Sequence, residues 1–122
     1  FVERIRTLYP DLEWHISIPL AVTMFTDENM LRQVLINLVK NACEAGATAM
    51  DVRWNKELWV SNNGTPIPAD VEREIFVPFF TTKKNGSGIG LSLSRQMMVR
   101  QGRDLCLAER PVPGFQVTFI VS

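Results

Sequence analysis

The chain has 122 residues, 46% of them hydrophobic, with 13 basic side chains against 13 acidic ones. That length suits one domain burying roughly two thirds of its unfolded surface, and a formal charge of zero gives no electrostatic footprint for nucleic acid or anionic lipid. Cys43 and Cys106 form no C-x-x-C or Cys/His cluster, so neither a disulfide scaffold nor a zinc site is expected, nor is a membrane span, a signal peptide or any membrane contact by this domain.

The opening stretch "FVERIRTLY" reads as a helix whose abrupt start points to excision from a longer chain, in a reducing, intracellular setting. Residues 12–18 alternate, with Leu12, Trp14, Ile16 and Ile18 on one side and Glu13, His15 and Ser17 on the other, a half-buried strand closed by Pro19. A short strand is expected at "AVTMF". Thr26 or Asp27 then caps a long helix with Glu28 in its first turn and a stop at Gly46. "MDVRW" and "ELWVS" read as a hairpin around Asn55 and Lys56, "SNNGTPIP" as a turn-rich loop, "ADVEREIF" as a short helix, and "FFTTKKNGSG" as an irregular polar segment. A further helix runs from about Ile89 to Arg100 with Gly102 as its stop. After "DLCLAER" and a Pro-Val-Pro-Gly turn, "FQVTFIV" closes the chain as a strand. Strands outside a run of helices, without strict β-α-β alternation, indicate an α+β two-layer sandwich.

The long helix carries the first chemical signal. Asn37, Asn41 and Glu44 share one narrow stripe, edged by Lys40 and Gln33, while Leu31, Val34, Leu35, Leu38 and Ala42 on one flank and Ile36, Val39 and Cys43 on the other are apolar. Such a stripe either meets water or meets a ligand. Solvent stripes are usually Lys and Glu, and an interior Asn costs about 0.5 kcal/mol relative to Ala, so two of them four residues apart call for something that offsets the cost. Amide oxygens beside a carboxylate are hard donors of the kind magnesium shares with water and phosphate.

Gly86, Gly88 and Gly90 stand at every second position before the later helix. Unpaired N–H groups and a positive dipole at a helix start favour a phosphate, provided that side chains do not block its approach. The pattern matches neither G-x-G-x-x-G nor G-x-x-x-x-G-K-[ST], and a glycine-rich hinge accounts for it equally. Lys83 and Lys84 could reach phosphate oxygens or simply be solvated.

Four segments together resemble the ATP-binding domain of sensor histidine kinases, in the right order and spacing and over roughly residues 12–122: "NLVKNACEA" is similar to the asparagine box, "SNNGTPIP" to the first glycine box, "IFVPFFTTK" to the phenylalanine box and "GSGIGLSLSRQM" to the second glycine box. The resemblance implies the Bergerat ATP-binding fold, a mixed sheet covered on one face by about three helices, with ATP and magnesium held between the long helix and a lid at residues 79–90. It implies Asn41 as the magnesium ligand, Asn37 as a neighbouring metal or phosphate contact, and Glu44 as a polar group near the phosphates. It further places Asn62, Gly64 and Ile67 at the base, Lys83, Gly86, Ser87, Gly88, Ile89, Gly90 and Leu91 at the phosphates, and Thr118 against adenine through water.

The implied activity is donation of the γ-phosphoryl group of Mg-ATP to a histidine on a separate dimerisation and phosphoacceptor domain, with a response-regulator receiver domain as the indirect partner. The setting is cytoplasmic, or the cytoplasmic portion of a membrane-bound sensor. In the related clamp ATPases, the position of Asn37 carries a glutamate that activates water; an amide cannot take that proton, so slow hydrolysis is expected. His15, on a predicted strand and followed by Ile16, is read as structural rather than as the acceptor. Two departures matter: Asn62 stands where the family has an adenine-binding aspartate, and Pro66 replaces a glycine. They leave open a second reading, a regulatory module with weak or no ATP binding.

Overall fold

The computed structural model describes residues 2–19, 26–77 and 90–122. Helices α1 (Val2–Leu8), α2 (Glu28–Glu44) and α3 (Gly90–Val99) and strands β1 (Glu13–Ser17), β2 (Ala49–Asn55), β3 (Glu57–Asn62), β4 (Leu105–Leu107) and β5 (Val117–Val121) make up the regular structure. The sheet runs β1-β2-β3-β5-β4; β1 and β2 are parallel, joined through α2, and every other pair is antiparallel. This is the expected α+β sandwich.

Strand periodicity sorts the side chains into two faces. Met50, Val52, Val60, Val117, Phe119 and Val121 form one core with Leu31, Val34, Leu35, Leu38 and Ala42 of α2, Met98 of α3 and Ile5 of α1. Each such side chain contributes about 2 kcal/mol on burial, against about 0.5 kcal/mol lost at each helical Asn, so packing decides that α2 is a helix. Its ends are local matters. The Asp27 carboxylate accepts from Met30 N–H at 3.0 Å, and Gly46 leaves the helix at φ 81°, a conformation that costs glycine little.

The other face of the sheet carries no helix among the described residues. Part of it is covered by the β4–β5 connection, whose Val112 N–H reaches the Thr118 hydroxyl at 2.9 Å and whose Phe115 ring meets His15 of β1 edge-on at 6.3 Å. Beneath them lie Asp51, Ser61 and Thr118, all buried. Asp51 holds Arg53 through two hydrogen bonds of 2.8 and 2.9 Å, a contact that pushes the guanidinium pKa up.

Two local expectations are corrected. "ADVEREIF" forms only a 3-10 turn at Glu72–Glu74, held by successive three-residue bonds from Val71 N–H to Pro68 O, Glu74 N–H to Val71 O and Val77 N–H to Glu74 O. Only Ile75 and Phe76 of this stretch pack on the core, too few for an apolar stripe that would sustain an α-helix. Cys43, expected on an apolar flank, is exposed, because the buried face of α2 is the one that carries Leu31, Val34, Leu35, Leu38, Val39 and Ala42. The strand expected at residues 21–25 and the polar segment at 79–88 lie outside the described residues.

Candidate functional site: a cleft between two pinned helices and a stitched loop

The helix α2 supplies the floor of the site. Along its polar stripe, Gln33 Nε2 donates to Asn37 Oδ1 at 3.0 Å, and Asn37 Nδ2 donates to Ser94 Oγ of α3 at 2.9 Å. Ser94 is fully buried, so this bond crosses a helix–helix interface. The Asn37 Nδ2 thus ties α3 to α2, while its Oδ1 accepts from Gln33 within α2 itself.

A second pin lies one end further along. Gln101 Oε1 accepts from Asp27 N–H at 2.5 Å and from the Thr26 hydroxyl, while its Nε2 donates to Met97 O at 2.9 Å. The start of α2 is thus tied to the end of α3, and the two helices run antiparallel. From the Asn37–Ser94 pin, Asn41 lies four residues on along α2 and Gly90 four residues back along α3, each about 6 Å away at 1.5 Å per residue. Asn41, half-buried, and the first residue of α3 are brought level with one another. An amide oxygen donor and the start of a helix, the positive end of its dipole, therefore share one end of the interface.

The opposite wall is the loop after β3, stitched to the end of α2. Thr65 N–H and its hydroxyl donate to Ala45 O at 2.9 and 3.1 Å. Gly64 lies so close that an added Cβ would stand 3.0 Å from both Ala45 Cβ and Ala45 O, a contact that would force the loop or the end of α2 to shift. Asn63 fastens the same loop to the α2–β2 turn: its Oδ1 accepts from Thr48 N–H at 2.8 Å and Ala49 N–H at 2.9 Å, and its Nδ2 donates to Thr48 Oγ1 at 2.9 Å. Asn62 ends β3 between Met50 and Val117 on the helix-covered side. It is 3% exposed, and its Oδ1 accepts from Gly64 N–H at 2.9 Å.

The structure thus gathers Asn41, Asn62 and Gly64 around the last turns of α2, with Glu44 exposed at its end. Ile67 and Leu91 are half-buried against the core. Thr118 is the exception. It pairs with Ser61, one residue before Asn62, and so points to the opposite face of the sheet, its hydroxyl 2.8 Å from Ser61 Oγ and accepting from Val112 N–H. The residue beside Asn62 is Val117, so Thr118 leaves the set. Lys83, Gly86, Ser87, Gly88 and Ile89 lie outside the described residues.

Sequence reasoning missed Ser94, Gln101 and Arg95. The Arg95 guanidinium stands 5.2 Å over the Phe76 ring and Nε donates to Asp104 Oδ1 at 3.1 Å, while Phe76 meets Phe119 edge-on at 6.5 Å. One cation thereby joins the two chain segments that flank residues 78–89. The signal for all three was slight, since a polar residue on a helix declares a partner only when the partner is known.

Comparison with known proteins turns this geometry into an identification. Residues 26–122 match the model of the histidine kinase-, DNA gyrase B- and HSP90-like ATPases. The chain belongs to that family. Within the family it is similar to the signal transduction histidine-protein kinase AtoS of Escherichia coli K12, 34% identical over 76% of this chain and 16% of that protein. It is also similar to the C4-dicarboxylate transport sensor protein DctB of Rhizobium meliloti, 42% identical over 59% of this chain and 13% of that one. The ATPase-family chain thus spans about a sixth or less of the length of these relatives. Among solved structures, the nucleotide-free catalytic domain of the histidine kinase ThkA superimposes with a TM-score of 0.72, at 32% identity, over 99% of this chain and 82% of that one.

Family membership implies a nucleotide and its metal, and the donor set fits magnesium in a particular way. Among the described residues no three His, Cys, Asp or Glu side chains converge on a metal position, so an all-protein cage is not what these residues build. Magnesium needs none: it keeps several waters and takes one or two protein oxygens together with phosphate oxygens. Asn41, half-buried and level with the start of α3, is placed to be such a donor.

Proposed function

We propose that this chain is the ATP-binding catalytic domain of a sensor histidine kinase, which holds Mg-ATP and presents its γ-phosphoryl group to a histidine on a separate helical dimerisation and phosphoacceptor domain. Transfer onward to a receiver domain and a cytoplasmic setting belong to the same assignment. The observation that carries it is the antiparallel pinning of α2 and α3, which sets Asn41 level with Gly90. Magnesium, when bound, offsets the phosphate charge that a phosphoryl transfer must carry. Asn41 would hold it, Asn37 would keep α3 in register through Ser94, and Asn62, Gly64 and Ile67 would form the base end.

Two features favour transfer over hydrolysis. Asn37 is an amide with both ends engaged and cannot accept a proton from water. His15 is not the acceptor on this assignment, since it lies on β1 against Phe115 and beside Glu13. The replacement of an acidic residue by Asn62 favours a second assignment, a regulatory domain with little nucleotide affinity, because a neutral hydrogen bond is about half as strong as a charge-assisted one.

Calorimetric titration with Mg-ADP separates the two. Binding in the micromolar to millimolar range that falls at least about tenfold in Asn41→Ala, and only when magnesium is present, is the expected result. Absence of heat at millimolar nucleotide would leave the regulatory assignment. Magnesium-dependent binding undiminished in Asn41→Ala would take that residue out of the site.

A further inference from the structure

We infer that the base end of the cleft accepts a 6-oxopurine alongside, or in place of, adenine, because Asn62 offers the ring a hydrogen-bond donor where adenine requires an acceptor. The inference rests on the nucleotide-binding assignment above and concerns which nucleotide. Its starting point is the 2.9 Å contact between Gly64 N and the Asn62 side chain. A backbone N–H can only donate, so the atom facing it must be the amide oxygen, and the orientation of the amide is fixed by chemistry. The opposite end of that side chain is then Nδ2, with two hydrogens to give.

Among the described residues Nδ2 makes no hydrogen bond, and no fully buried side-chain nitrogen or oxygen lacks a partner. Nδ2 therefore opens on accessible space, although Asn62 as a whole is 3% exposed. That space lies on the α2 side of the sheet, since the Cα partners of Asn62 are Met50 and Val117, both members of the core under α2. Their side chains provide no conventional hydrogen-bonding group. Among the three paired residues Met50, Asn62 and Val117, the Asn62 amide is the polar group that a flat ring seated there would meet.

The chemical difference from a carboxylate is one of counting. A carboxylate has two acceptor oxygens, so it can satisfy the turn with one and a ligand amino group with the other. An amide has a single oxygen, turned here toward Gly64 N–H, so that the end facing away from the turn presents a donor where a carboxylate would present its second acceptor. Against adenine, the 6-amino group confronts another donor. Against hypoxanthine or guanine, the 6-oxo group receives a bond, and a site whose polar groups are matched rejects the ligand that leaves them unpaired.

The test compares ADP with IDP, whose bases differ at position 6 and at the N1 proton, by calorimetric titration of the chain in the presence of magnesium. The expected outcome is IDP binding at least as tight as ADP, with Asn62→Asp shifting the IDP-to-ADP preference toward ADP by about tenfold or more. Asp preserves the acceptor for Gly64 N–H, and an unchanged melting temperature establishes that the variant is folded. A preference for ADP of about a hundredfold in the unaltered chain overturns the inference while leaving nucleotide binding intact. An ADP-to-IDP ratio that Asn62→Asp does not move overturns it as well. If neither nucleotide binds, the nucleotide-binding assignment fails and the inference falls with it.

Discussion

Ser61 and Asn62 are neighbours on one strand, equally buried, and opposite in meaning. Ser61 faces the side of the sheet that bears no helix among the described residues, where its hydroxyl, Thr118 Oγ1 and Val112 N–H satisfy one another. Asn62 faces the helices, and only its oxygen is used, by Gly64 N–H two residues on. Burial by itself does not distinguish the two. What distinguishes them is whether the fold has already consumed the hydrogen-bonding capacity, because an interior polar group left without a partner costs about 1–3 kcal/mol. The polar row behind the sheet is closed by the chain itself, and the cleft in front keeps a donor in hand.

The sharpest way to break that contrast is to fill the loop that holds Asn62 in place. Gly64→Ala sets a Cβ at 3.0 Å from Ala45 Cβ and O, and is expected to lower the unfolding free energy in urea by roughly 3 kcal/mol while weakening Mg-ADP binding. A neutral result would mean that the loop is not stitched to α2 as described. Next comes the rear of the sheet. Thr118→Val strands Ser61 Oγ and Val112 N–H and should cost about 2 kcal/mol of stability with nucleotide affinity unchanged. If affinity fell instead, Thr118 would belong to the site after all.

Ser94→Ala probes the pin between helices. Loss of the Asn37 bond should cost about 1 kcal/mol, read from the denaturation midpoint, and should disturb binding only as far as α3 shifts. A large loss of affinity at full stability would make Asn37 a direct ligand. The smallest effect is one of pH. Cys43 is exposed, but partial desolvation beside the helix, and then the Glu44 charge, pushes its thiol up, and burial does the same to Cys106. Groups whose folded pKa is raised stabilise the fold below their unfolded pKa and lose that contribution as pH rises through the folded value. Urea midpoints should therefore drift down between neutral pH and pH values above the ordinary thiol range, and less so in Cys43→Ala. Alkylation of Cys43 should likewise require higher pH than a free thiol; a matching pH profile would remove the shift.

Most of the architecture was legible because it is governed by neighbours along the chain. The period of Val34, Leu38 and Ala42, the Asp27 cap and the Gly46 stop all act within a few residues, and each appears where expected. The Asn55–Lys56 turn is equally local, with Lys56 at φ 62°. The short helix at "ADVEREIF" failed where composition was helical and no apolar stripe existed to bury. Thr118 failed for a different reason. Alternation along β5 says that residues 117 and 118 face opposite sides, but which of them joins Asn62 depends on the register with β3, set between residues more than fifty positions apart.

The sequence by itself determined most of the elements, their order and the family, since helix caps, turn residues and hydrophobic periods are properties of short stretches. Only the tertiary structure decided that Asn37 grips Ser94, that Asn62 turns its oxygen toward Gly64, and that Thr118 turns away from the cleft. Each of those outcomes depends on which partner arrives across a packed interface, and a buried polar side chain acquires its role from that partner rather than from its own identity.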